Sequence, residues 1–224
     1  MSKIIAIMLL LCCGMMLFGC ADDNGRRKAE QQKTIVVTDS VGRKVELPYP
    51  LERVAVCNVY NAELITAVGA IDKIVGVDNY IFKDQSGFKN RFNEAQVFGI
   101  SQNAMNHEKL AELEPQAVII TGEGTWRDAQ EMLDRFGIKV IVINSYYTDQ
   151  FADNCRLIGR IFGREEQAEE LVNYFNDKLA YIQKQLQGVP RRSLYFEYRT
   201  LGKTALPGDY FYKMVEYSGA DNIF

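Results

Sequence analysis

Between residues 54 and 144, short runs of apolar residues alternate with stretches of helical spacing. A chain with this alternation can bury its strands only in a parallel sheet whose faces are covered by the intervening helices. Val54-Ala55-Val56-Cys57 is a continuous apolar run of the kind buried on both faces of a parallel sheet, and helical spacing follows over residues 61–68. Residues 74–77 repeat the strand signal, 97–99 give a shorter one, and 117–121 a strong one. The last follows a helical stretch at 107–113 that Pro115 closes. A helix over 125–136, capped by Gly137, and a strand over 139–143 complete the series.

The flanks of this region differ in kind. Residues 34–37 and 44–47 predict a hairpin turning at Gly42, stopped by Pro48 and Pro50. Residues 149–162 and 165–186 predict two helices separated by Gly163. The second carries Ala168, Leu171, Val172, Phe175, Leu179, Ile182 and Leu186 at spacings of three and four, one stripe for burial. A helix of that length spans roughly 33 Å, enough to connect two lobes. After Gly188-Val189-Pro190, a strand at 193–198 and a helix at 210–217 open a second α/β lobe, expected to need further strands to bury its faces. The expected fold class is therefore α/β, with a parallel-sheet N-terminal lobe with helices on both faces, a long connecting helix and the start of a second α/β lobe.

The first residues set the compartment. Lys3 precedes residues 4–18, which carry no charge, and Leu17-Phe18-Gly19-Cys20 follows; this predicts a secretory signal ending in a lipobox. The apolar stretch is shorter than the roughly 18 to 20 residues of a membrane-spanning helix, and Asp22, Asp23, Arg26, Arg27 and Lys28 come directly after it. Leu-Phe-Gly-Cys resembles the bacterial lipoprotein pattern, in which cleavage makes Cys20 the first residue and its thiol carries the lipid. The expected organisation is a signal peptide at 1–19, the lipidated cysteine and a flexible tether at 20–33, an N-terminal lobe at 34–148, a helical linker at 149–188 and the opening of a second lobe at 189–224. Of five cysteines, only Cys57 and Cys155 would remain unmodified, as two separate buried thiols or as one long-range bridge. Loss of Lys3 leaves 25 basic against 29 acidic side chains, a net charge of −4 without long blocks of one sign. Such a surface excludes nucleic acid as the expected partner.

Several further stretches carry a common signal. They are Thr38-Asp39-Ser40-Val41-Gly42-Arg43-Lys44-Val45-Glu46-Leu47-Pro48, Asn61-Ala62-Glu63-Leu64, and Gly69-Ala70-Ile71-Asp72-Lys73-Ile74-Val75-Gly76-Val77. Further along stand Ile158-Gly159-Arg160-Ile161-Phe162-Gly163-Arg164-Glu165-Glu166-Gln167-Ala168, Tyr195-Phe196-Glu197-Tyr198 and Ser218-Gly219-Ala220-Asp221-Asn222-Ile223. Together they resemble the solute-binding lipoproteins of ABC importers for ferric siderophores, haem and cobalamin. The resemblance implies two lobes joined by one rigid helix, a monomer lipid-anchored on the extracytoplasmic side of a bacterial membrane, and an ABC permease with its ATPase as partners. It also implies that an acidic residue on each lobe docks against permease arginines, here Asp128 or Glu131 on the helix after the fourth strand.

Ligands of open parallel sheets bind beyond the carboxyl ends of the strands, so the loops after each strand are the candidate site. Asn58, Tyr60 and Asn61, then Tyr80, then Glu123 and Trp126, then Tyr146 and Tyr147 lie there. Their rings and amides suit a large planar or chelated ligand, a metal chelate or a tetrapyrrole, without covalent chemistry. Asn61 could equally cap a helix, and Trp126 could equally pack against the helix face of the first lobe. By the family geometry, Tyr198 with Arg199 and Lys203 faces the same cleft from the second lobe, and a cation pair there would suit an anionic ligand. His107 is the only histidine, which rules out a multi-histidine metal site, so any metal would arrive inside a chelate. No serine sits in a nucleophile elbow, and Gly122-Glu123-Gly124 lacks the rest of a phosphate loop. The reading is a binding protein without cofactor or catalytic residues; carriers of oxyanions or other small solutes, and sensory or structural surface lipoproteins, stay open.

Overall fold

The computed structural model describes residues 33–84, 87–198 and 200–223. The expected signal peptide, Cys20, most of the tether, and Arg199 lie outside the described residues.

A hairpin opens the fold, β1 (Thr34–Thr38) pairing antiparallel with β2 (Lys44–Pro48). Five parallel strands follow: β3 (Val54–Val56), β4 (Ile74–Asp78), β5 (Val97–Gly99), β6 (Ala117–Ile120) and β7 (Lys139–Val142). Their order across the sheet is β5-β4-β3-β6-β7. The chain thus runs outward from β3 to β5, then returns to the other side of β3 with β6, and the crevice between β3 and β6 is a topological switch point. The helices between them are α1 (Val59–Ala67), α2 (Asn79–Lys83), α3 (His107–Glu112) and α4 (Trp126–Asp134).

Strand side chains alternate between faces, and each face has its own core. Val54, Val56, Val77, Ile119 and Ile141 pack with Ala62 and Ile65 of α1. The same cluster holds Cys155, Ile158, Ile161 and Phe162 of α5 (Phe151–Phe162). Ala55, Cys57, Phe98, Val118, Ile120, Val140 and Val142 point the other way, against Leu110 of α3 and Ala129 and Leu133 of α4. Helices therefore cover both faces. Cys57 and Cys155 are free, buried thiols in opposite clusters, which excludes the bridge between them.

Gly163 ends α5 in the left-handed conformation at φ 63°, and α6 (Glu165–Gln185) follows. The two helices approach closely at Gly159, where a Cβ would stand 2.5 Å from that of Ala168. The stripe expected on α6 is buried only in its first half: Ala168 and Val172 are covered, whereas Ile182 is 43% exposed.

Some expectations need correction. The strand expected at 193–198 is only β8 (Arg192–Leu194), because its parallel partner β9 (Ala220–Asn222) offers three residues and Tyr198 instead turns to accept Lys203 into a loop, its N–H donating to the Lys203 carbonyl at 2.9 Å. The segment after the second strand, read as a loop, is the short helix α2, whose first turn Asp78 caps through Ile81 N–H at 2.9 Å. The helix expected from 210 starts two residues later, as α7 (Tyr212–Tyr217).

Candidate ligand-binding cleft

The loops that leave β3, β6 and β7 are tied by hydrogen bonds between side chains and backbone, with Asp78 and Thr121 the buried groups among them. Asn58 lies in the left-handed region at φ 77°, and its N–H donates to Oδ2 of Asp78 at 3.0 Å while its own Oδ1 accepts Tyr60 N–H at 3.0 Å. Asp78 is 2% exposed, and burial lifts its carboxyl above the ordinary value of 3.8, opposed by the backbone N–H groups of Ile81, Asn58 and Tyr80 that donate to it. One carboxylate thus ties together the loops after β3 and β4. Beyond β6, Gly122 N–H donates to Oδ1 of Asn144 at 2.7 Å, and Thr121 donates to Oε1 of Gln102 from both N–H and hydroxyl. Beyond β7, Asn144 N–H donates to the Ser40 hydroxyl at 3.1 Å, so the turn of the hairpin supports the same rim.

This scaffold holds a cleft of about 390 Å³ on the carboxyl side of β3, β6 and β7, beside the switch point. From the loops after the strands it takes Asn58, Tyr60, Glu123 and Tyr146, and from the segment after β8 it takes Tyr198, Lys203, Asp209, Tyr210 and Phe211. The rings form a continuous wall across the two contributions. Tyr146 meets Tyr210 edge-on with centroids 5.3 Å apart, Tyr210 packs on Phe211 at 4.2 Å, and Phe211 on Tyr198 at 4.8 Å. Burial, then the Glu123 charge, pushes the Tyr146 phenol well above its usual range, so it remains a neutral hydrogen-bond donor.

Other expected site residues stand elsewhere. Asn61 is fully buried, donating to the Cys57 carbonyl at 3.2 Å and accepting the Ser145 hydroxyl at 2.5 Å, which makes it a support of the rim. Tyr147 backs the wall, 4.8 Å from Tyr146, without lining the cleft. Tyr80 is 63% exposed on α2, away from the cleft lining. Trp126 lies at the start of α4 against the second core, its ring between the guanidinium groups of Arg43 at 4.3 Å and Arg127 at 4.1 Å. Asp128 and Glu131 are exposed on the same helix. Asp209, Tyr210 and Phe211 do not follow directly on a strand, so the strand-end rule does not point to them. Their only signal was the aromatic run Tyr210-Phe211-Tyr212, which reads as a helix start.

Among the described residues, no group of three or more His, Cys, Asp or Glu side chains could hold a metal ion, and no helix is long and apolar enough to cross a membrane. A sequence profile described as periplasmic binding protein matches residues 54–223. The chain belongs to the periplasmic binding protein family. It is similar to a periplasmic solute binding protein of Veillonella parvula, at 26% identity and a TM-score of 0.65 over 85% of this chain and 60% of that one. It is also similar to Staphylococcus aureus SirA, solved with staphyloferrin B, at 20% identity and a TM-score of 0.59 over 71% of this chain and 55% of that one. The periplasmic vitamin B12 binding protein BtuF of Vibrio cholerae matches at 22% identity with a TM-score of 0.61, covering 78% of this chain and 67% of that one. The chain thus spans 60% or less of the first two relatives. The last two similarities concern the fold alone.

Proposed function

We propose that the protein is an extracytoplasmic solute-binding lipoprotein, anchored through Cys20, that delivers an iron chelate, haem or cobalamin-type ligand to the permease and ATPase of an ABC importer. The observation that carries this reading is the cleft at the switch point, walled by Tyr146, Tyr210, Phe211 and Tyr198 and rimmed by the amide of Asn58. Clustered rings supply large contact area at low entropic cost, which suits a bulky, preformed complex whose metal is already satisfied. The neighbours that bind staphyloferrin B and vitamin B12 support the same class of ligand. Asp128 and Glu131, both solvent-facing on α4, remain the residues assigned to permease docking. Calorimetric titration of the protein with ferric siderophores, haem and cobalamin tests the reading, with saturable binding of at least one and no turnover expected. Failure of the whole panel, with an oxyanion or another small solute binding instead, would replace it.

The lipid anchor has its own test. With Cys20→Ser, the protein is expected to lose its cleaved, lipid-bearing N-terminus, since the thiol that carries the lipid is gone. Fractionation followed by mass spectrometry of the N-terminus checks this, and unchanged membrane retention without processing in either form would refute the anchor.

A further inference from the structure

We infer that the cleft takes a cationic solute complex in preference to an anionic one; this rests on the proposed role in chelate binding and names the charge of the chelate. Among the described residues that line the cleft, Glu123 and Asp209 bring two carboxylates against the single ammonium of Lys203. Lys203 was expected to serve an anionic ligand together with Arg199, but it shares its surface with two groups of opposite charge. The wall has the same preference. Aromatic faces carry partial negative charge, and the run of Tyr146, Tyr210, Phe211 and Tyr198, with neighbouring centroids 4.2 to 5.3 Å apart, presents several rings to one volume. Rings joined with carboxylates are the arrangement that captures ammonium groups. The Tyr146 phenol adds no countercharge, because burial and Glu123 keep it protonated.

An anionic complex such as a ferric tris-catecholate would set its charge against both carboxylates and the rings, with Lys203 in compensation among the described lining residues. A ferric trihydroxamate bearing a protonated amine would place that amine among rings and two carboxylates that attract it, with Lys203 the opposing charge among the described lining residues, and its carbonyl oxygens within reach of the Asn58 amide. Like charges brought together at a recognition surface are a strong source of discrimination.

The experiment compares three probes on the protein: a ferric trihydroxamate with a free primary amine, the same chelate with that amine acetylated, and a ferric tris-catecholate. Calorimetry is expected to show the amine form binding about tenfold more tightly than its acetylated twin, with the tris-catecholate weakest. Glu123→Gln is expected to reduce the preference for the amine by about two- to fivefold, and Asp209→Asn, with circular dichroism confirming its fold, to act in the same direction. Equal binding of the amine and acetylated forms, or tightest binding of the tris-catecholate, overturns the charge assignment and leaves chelate binding standing. If none of the three binds, and haem and cobalamin also fail, the chelate reading falls together with this one.

Discussion

Replacing Asp39 with alanine is expected to lower the stability of the protein by about 3–5 kcal/mol, the cost typical of stripping one partner from a buried ion pair. The Asp39 side chain is fully buried, and Arg43 meets it with Nη2 at 2.7 Å and Nε at 3.0 Å. The same carboxylate accepts the N–H groups of Val41 at 3.2 Å, Arg43 at 2.9 Å and, across the fold, Val142 of β7 at 3.3 Å. Arg43 in turn donates to the Val140 carbonyl at 3.1 Å and to Gln130 of α4. One carboxylate therefore shapes the hairpin turn and fastens it to the edge strand β7, and its loss strips the guanidinium of its countercharge and the Val142 N–H of this acceptor. Urea unfolding of wild type and Asp39→Ala measures the cost. A change below about 1 kcal/mol would mean that the hairpin is held by its apolar residues Val37 and Leu47 alone. Asp39→Asn, which keeps one acceptor oxygen, is expected to fall between the two.

The parallel sheet was legible because its strands are buried on both faces: Val54-Ala55-Val56-Cys57 and residues 117–121 are uninterrupted apolar runs, and few alternatives accommodate such runs between helical stretches. The ends of elements were less legible, since they depend on partners distant in sequence. Residues 195–198 have strong β propensity, yet β8 stops at Leu194 because strand β9 is only three residues long. Helix α2 has five residues, too few to show a periodicity, and its start is set by the buried acceptor Asp78.

The site divides along the same line. The rule that ligands lie beyond strand ends placed Asn58, Tyr60, Glu123 and Tyr146 in one region, and the structure gathers them around one cleft with Tyr198. The rule is silent about which residues in a loop face the ligand and which hold the loop. Asn61 and Tyr60 are adjacent in sequence, but the first turn of α1 buries the amide against Ser145 and leaves the phenol at the cleft. Asp209, Tyr210 and Phe211 reach the site by tertiary packing on Tyr146 and Tyr198, a contact spanning some sixty residues in one case and a dozen in the other. No local pattern encodes that.

Trp126 is the residue for which sequence left two outcomes equal, and its placement makes them separable. A cleft tryptophan contributes to affinity, whereas one packed on a helix face contributes to stability. In the fold its ring is held between Arg43 and Arg127, at 4.3 and 4.1 Å, and packs against the cluster containing Ala129 and Leu133. Arg43 is already committed to Asp39, so the ring rests on a guanidinium that cannot turn away, and stacking there is pre-organised. Trp126→Ala is therefore expected to cost about 2–4 kcal/mol of stability, less than a fully buried tryptophan because the ring keeps some exposure. Ligand affinity, measured at a temperature where the variant stays folded, is expected to change by less than about twofold, since binding energy concentrates in residues that contact the ligand. Trp126→Phe, which retains a ring between the two arginines, is expected to recover more than half of the lost stability. The variant also couples to the first prediction: Asp39→Ala frees Arg43 from its carboxylate, so the cost of Trp126→Ala in that background should differ from its cost in wild type by about 0.5 kcal/mol or more. Unchanged stability accompanied by a tenfold loss of affinity would return Trp126 to the cleft.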